Sequence, residues 1–167
     1  MARAMSPHAV ARLRERFRDE AGVLIDALLE KRDIDAVKDL AETFPLTVFP
    51  DAVGIAGEGP ETLLAYGSMV FNALGPDNPV RRRAFADATS VVAWIEQRCA
   101  RAAITPGGFA ATIYAAADVG ELSEQEAGLL VRSLLSAGVD TTVAALGSAL
   151  FCLATNPGQY ALLRHDP

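Results

Sequence analysis

The stretch 123–156, SEQEAGLLVRSLLSAGVDTTVAALGSALFCLATN, constrains the fold most, because nothing in it forces a helix to stop. Ser123 with Glu126 three residues on forms a capping box, in which each side chain satisfies an orphan backbone N–H at a helix start. The pattern ends at Asn156 and Pro157, since proline lacks the N–H and disfavours a helical residue before it. One continuous helix here is roughly 48 Å long at 1.5 Å per residue, enough to cross a whole domain. The rest of the chain is expected to pack around it as an axle.

Its faces differ. Leu130, Leu134, Leu135, Val139, Val143, Leu146, Leu150 and Leu153 supply bulk, whereas Ser133, Ser136, Ala137, Asp140, Thr141, Ala144 and Ser148 recur at spacings of three and four. On so apolar a helix this small, polar stripe is expected to face a cavity, a cofactor or another backbone, because buried hydroxyls and a carboxylate need partners. Gly138 weakens the helix, and a Thr141 hydroxyl can compete for a carbonyl one turn back, so the turn 137–141 is expected to be opened or bulged. The residues allow a second reading, a helix–turn–helix in which Gly138 stops one helix and Asp140 caps the next.

The 167 residues allow one domain, and the hydrophobic content of 51% is high for a chain that must leave much of its surface in water. A piece of a larger core reads this way. The net charge of −6 argues against nucleic-acid and anionic-membrane partners, and Arg81, Arg82 and Arg83 read as a solvated helix start. Arg132 and Asp140 interrupt the longest apolar run, so no membrane span is expected, and the N-terminus carries no secretory signature. The reading is cytoplasmic. Cys99 and Cys152 stand in no metal or redox spacing, and both read as reduced, buried core residues.

Along the chain, Ser6 and Pro7 open an amphipathic helix over 6–31 with Ala9, Leu13, Phe17, Leu24 and Leu28 on one face. Asp33 or Asp35 caps a second helix, interrupted near Pro45 and resumed weakly to Val53. The loop around Gly54, Ala56, Gly57, Glu58, Gly59 and Pro60 has the wrong glycine spacing for a phosphate cradle, and Glu58 would repel phosphate. Further helices are expected over 61–74, from Pro79 to Cys99 or Arg101 with Phe85 and Val91 on the apolar side and Trp94 packed, and over 109–117. No segment alternates with a period of two, so the fold class is all-α.

The run Ala137, Gly138, Val139, Asp140, Thr141, Thr142 resembles the oxygen-activation motif of the cytochrome P-450 family. Its surroundings strengthen the resemblance: 129–135 before it, then Asn156 and Pro157, and Leu162 to Pro167 as at that family's next helix. The segment Phe44, Pro45, Leu46, Thr47, Val48, Phe49, Pro50, Asp51 is similar to the bacterial subgroup that oxidises para-substituted benzoates. The resemblance covers all 167 residues but less than half of the family's domain. It implies a single partial domain, 1–167, running from the end of the C helix through the J helix, an internal fragment without the N-terminal part and without the C-terminal cysteine-ligand part.

The resemblance also implies roles. Ala137 and Gly138 would let the helix approach haem b, Thr141 would hold a hydrogen bond beside dioxygen, and Asp140 would relay protons as a general acid. Phe71, Leu74, Ser133 and Ser136 would line the substrate pocket, Leu74 standing where that subgroup carries an aromatic ring. The activity implied is insertion of one atom of O2 into a small organic substrate, an aromatic carboxylic acid, with electrons from a ferredoxin and ferredoxin reductase. The family's iron-binding Phe-x-x-Gly-x-x-x-Cys loop and its Glu-x-x-Arg pair are not found here; Glu15 to Arg18 match the latter by letters alone. The chain by itself is therefore expected to be inactive. The competing expectations are a non-catalytic helical interaction or regulatory protein, and a degenerate remnant.

Overall fold

The structure is a computed structural model that describes residues 5–55, 57, 59 and 61–166. Ala56, Glu58 and Pro60 lie outside the described residues, and with them part of the glycine loop considered above. Among the described residues the fold is entirely helical. The elements are α1 (Pro7–Leu29), a wide i→i+5 stretch (Ala36–Glu42), α2 (Thr43–Val53), α3 (Thr62–Ala73), α4 (Pro79–Ala84), α5 (Ala88–Cys99), a 3₁₀ turn (Arg101–Ala103), α6 (Phe109–Asp118), α7 (Glu124–Gly138), α8 (Asp140–Thr155) and α9 (Pro157–His165).

Local chemistry starts most of these helices where expected. The Ser6 hydroxyl accepts from Ala9 N ahead of Pro7, and Asp35 accepts from the N–H groups of Val37 and Lys38. The expected interruption near Pro45 does not occur. The chain passes from the i→i+5 stretch directly into α2, with Pro45 in the first turn of α2, where a missing N–H costs least. The helix expected from Pro79 to Cys99 is two. It breaks at Phe85, Ala86 and Asp87, where Ala88 N–H bonds back to Phe85 O and the Ser90 hydroxyl donates to Asp87 O at 2.8 Å, while Phe85 packs on the core. Two of the three expected surface arginines are engaged locally. Arg82 makes a two-bonded contact with Asp77 at 3.0 Å, and Arg81 lies over the Phe85 ring.

The core is built around α7. Ala127, Val131, Leu134 and Leu135 are buried, and α7 packs against α2, α3, α5 and α6. They meet Val53, Leu63, Tyr66, Ile95 and Ile113 from those helices, and Trp94 packs against the edge of the same core. The buried Tyr114 hydroxyl donates to Cys99 O at 2.5 Å, and this ties α6 to α5. In contrast, α8 has no buried residue and rests on the i→i+5 stretch, α9 and, at its start, α3. Cys152, on α8, is exposed, which corrects the expectation of a buried thiol; Cys99 is buried as expected. Phe151 and Leu162 are more than half exposed on the α8–α9 side.

The pair Glu124–Thr155, 32 residues, is also long and apolar enough to cross a membrane by length and composition, although Arg132 and Asp140 had argued against it. Core helices of soluble proteins pass the same test, so this carries no assignment.

Candidate functional site

The axle is one helix with a bend. Helical geometry lapses only at Val139, which stays in the right-handed region at φ −92° and ψ −66°, and the ladder resumes at once with Val143 N–H on Val139 O at 2.9 Å. The helix–turn–helix alternative is therefore excluded, because a reversal needs residues outside that region. The cause of the bend is local. The Thr141 hydroxyl donates to Ala137 O at 2.5 Å and the Thr142 hydroxyl to Gly138 O at 2.7 Å, so each competes with a backbone N–H for its carbonyl.

A helix turns by about 100° per residue, and the bend uses each direction differently. Val139 points into the core and is 1% exposed. Gly138 and Asp140 flank it on either side and are half-buried. Gly138 faces the ring of Phe49 on α2, and Asp140 lies against Gly67 on α3. Ala137 and Thr141 occupy the remaining direction, which is open, and Ser133, Ala144 and Ser148 continue the exposed strip along the axle.

The small stripe thus divides. Its hydroxyls were expected to need partners in a cavity, a cofactor or another backbone; in this chain Ser133, Ala137, Thr141, Ala144 and Ser148 are exposed, and the threonines satisfy their hydrogens on their own helix. Ser136 is half-buried one turn before Asp140, with its hydroxyl on Ser133 O at 3.0 Å. The four expected substrate contacts lie on two elements that pack together. Ser136 and Ser133 precede the bend by about one and two turns on α7, while Phe71 on α3 and Leu74 at its end follow Gly67 at spacings of four and seven, and α3 meets the axle at Asp140. Phe71 is 43% exposed and Leu74 87%. Phe49 and Gly67 were missed from sequence. Gly67 did carry a signal, since a glycine inside a helix weakens it and usually has a packing reason.

The carboxyl end of α5 and the start of α7 are clamped separately. Arg101 forks onto Glu124 at 2.7–3.0 Å, reaches Asp118 at 2.9 Å and lies over the Tyr114 ring. The Arg101 guanidinium holds the Glu124 carboxyl below its usual range, and the Ser123 backbone N–H does the same for Glu126. The capping box itself is complete, with Ser123 N–H on Glu126 at 2.7 Å and Glu126 N–H on Ser123 at 3.2 Å. A cleft of about 340 Å³ lies elsewhere, between α1 and the start of α6, and is lined by Arg12, Leu13, Gly108 and Thr112 rather than by the bend.

The fit to haem is one-sided. The exposed strip Ala137, Thr141, Ala144 and Ser148 carries no bulky side chain and suits a flat group laid along the helix. The thiolate ligand is lacking. Burial pushes the Cys99 thiol up to about 11, which leaves it neutral, and among the described residues no three His, Cys, Asp or Glu side chains gather around a metal position.

No protein-family profile matches the chain. Individual proteins do. Cytochrome p450 CYP199A2 of Rhodopseudomonas palustris is 48% identical over 168 residues, covering 100% of this chain and 41% of that protein. The probable cytochrome P450 127A1 of Sinorhizobium fredii is 33% identical, covering 97% of this chain and 38% of its own length, and cytochrome P450 107B1 of Saccharopolyspora erythraea is 26% identical, covering 99% and 40%. The chain spans about two fifths of the length of each of these relatives. The all-α fold agrees with that similarity, and over its whole length the sequence is similar to a section of these cytochromes P450.

Proposed function

We propose that this chain forms the oxygen-handling wall of a haem-dependent monooxygenase, one partial domain of it, and that the chain alone does not perform the reaction. The observation that carries this reading is the bend itself. It places the Thr141 hydroxyl on an open face lined by small residues, with the Asp140 carboxylate 100° away around the same turn. When bound, haem would supply the reduction of dioxygen and the cleavage of its O–O bond. Ala137 and Thr141 would lie closest to it, with Gly138 beside them against the Phe49 ring, and the small side chain at 137 leaves room for a diatomic molecule.

The residues of the chain hold and move protons. The Thr141 hydroxyl, now spent on Ala137 O, is both donor and acceptor and can hold a water on the open face while keeping that bond. Asp140 Oδ1 or Oδ2 takes a proton from solvent and passes it to that water as a general acid. Phe71, Leu74, Ser133 and Ser136 would contact the substrate, a small organic molecule of the aromatic carboxylic acid class, with Leu74 offering less ring contact than an aromatic would. A ferredoxin and its reductase would supply electrons, and the protein would act in the cytoplasm.

The test replaces the corresponding section of CYP199A2 with these 167 residues and follows oxygen uptake, product and peroxide. Thr141→Ala is expected to divert most of the consumed oxygen to peroxide at nearly unchanged uptake, and Asp140→Asn to slow turnover about a hundredfold. Full coupling in both variants would overturn the proposal. The 167-residue chain mixed with haem and reduced under carbon monoxide is expected to give no band at about 450 nm.

A further inference from the structure

The bend has two neighbours that its own hydrogen bonds do not explain. A Cβ built on Gly138 would sit 2.5 Å from Cε1 and Cε2 of Phe49 and nearer still to Cζ. A Cβ built on Gly67 would sit 2.7 Å from Asp140 Cβ, 3.2 Å from Cγ and 3.5 Å from Oδ1. Non-bonded carbons prefer about 3.5–4.0 Å, so neither position accepts any side chain without movement. Other helical glycines are less crowded: Gly128 would bring a Cβ to 3.3 Å from the Tyr114 hydroxyl oxygen, Gly147, nine residues after Gly138, only to 3.9 Å from Val37, and Gly22 and Gly158 would meet nothing. The two tight approaches come from different helices, α2 and α3, and reach residues about 200° apart around the axle, on opposite flanks of the buried Val139.

We propose that Phe49 and Gly67 are positioning residues that grip the bend from both sides and so fix which way Asp140 and Thr141 face, an inference that rests on the proton-handling role given to that pair. The back-bonded threonines make the turn bend, but they do not themselves set its rotation about the helix axis. Rotation toward α2 drives Gly138 into the Phe49 ring, and rotation toward α3 drives Asp140 into the Gly67 backbone. With Val139 anchored in the core, the only direction left for Ala137 and Thr141 is the open one. Gly67 also confines the Asp140 side chain about its Cα–Cβ bond, because its Cβ and Cγ both lie against the α3 backbone.

The experiment uses the 167-residue chain and reads amide exchange at 139–143 together with three-bond couplings that report the Asp140 Cα–Cβ rotamer. Gly67→Ala is expected to speed exchange at the bend about tenfold, with α6 amides unchanged, and to redistribute the rotamer; Gly147→Ala is expected to do neither. In the Gly67→Ala background, Asp140→Gly removes the atom that is struck and is expected to restore exchange to within about threefold, whereas Asp140→Ala keeps that atom and is not. In parallel, Gly138→Ala is expected to speed exchange about tenfold with Phe49 in place and under threefold in a Phe49→Ala background. If Gly67→Ala does not fold, recovery of helix content by Asp140→Gly supports the grip, and failure to recover overturns it. Additive behaviour in either cycle, or equal effects at positions 67 and 147, also overturns it. None of these readings uses turnover, so a chimera indifferent to Asp140→Asn would remove the proton role while the grip stands or falls separately.

Discussion

The two halves of the axle, α7 and α8, have similar length and α8 is the more apolar, yet they live in different surroundings. In α7 four residues are buried, and α2, α3, α5 and α6 surround it; in α8 none is buried, and Phe151 is 69% exposed. The difference is one of partners rather than of sequence. Leucines at helical spacing describe a face that can be covered, and only the elements that reach that face decide whether it is. The bend at Val139 marks where full burial ends, so the candidate site lies at the boundary between a well-packed helix and one covered on one side only.

The comparison is broken most directly by trimming one apolar side chain on each side of that boundary. Leu135 is 1% exposed in the centre of the core, and Leu135→Ala is expected to cost about 2–5 kcal/mol, because the cavity adds to the lost transfer energy. Phe151→Ala should change stability by no more than about 0.5 kcal/mol, as for other exposed positions away from special features. Urea titration followed by circular dichroism measures both. Equal losses would mean that α8 is packed as tightly as α7 in solution.

The two thiols sharpen the same contrast, since one lies under α7 and the other on the less covered half. Cys99 is buried, and burial pushes it from 9.0 to about 11, so at a given pH near 8 its thiolate is about a hundredfold scarcer than that of an ordinary cysteine. Cys152 is exposed. A maleimide is therefore expected to label Cys152 at least about a hundredfold faster, with Cys99 released only on unfolding. Native labelling of Cys99 at a similar rate would show the α5–α7 core to be open.

What was legible in the sequence was local. The starts at Ser6, Asp35, Pro79 and Ser123 depend on one side chain and the backbone within three residues of it, and each lies where its residue type places it. Asp140 and Thr141 became candidates because they sit in one short run with a recognisable order, and the bend was legible because threonine bonds back to its own helix. The misjudged features depend on distant partners. The break at Phe85 has neither glycine nor proline to announce it, and Cys152 is exposed because none of the described helices covers it. Phe49 lies eighty-nine positions before Gly138, and no spacing rule connects them.

A smaller loss than that at Leu135 is expected at the far end of α7. Ser123→Ala removes one half of the capping box and is expected to cost about 1 kcal/mol. The Glu124 and Glu126 carboxyls are both held below their ordinary 4.5, by the Arg101 guanidinium and by the Ser123 N–H. A carboxyl lowered in the folded state binds fewer protons there than in the unfolded chain, so its stabilisation is complete above 4.5 and is lost as pH falls from there through the lowered folded value. Protection of the amides at 124–127 should therefore weaken on acidification below 4.5. Glu126→Gln should flatten that response, because an amide cannot gain the proton. An unchanged acid response in Glu126→Gln would assign the loosening to Glu124 and Arg101 instead, and Glu124→Gln separates the two by the same measurement.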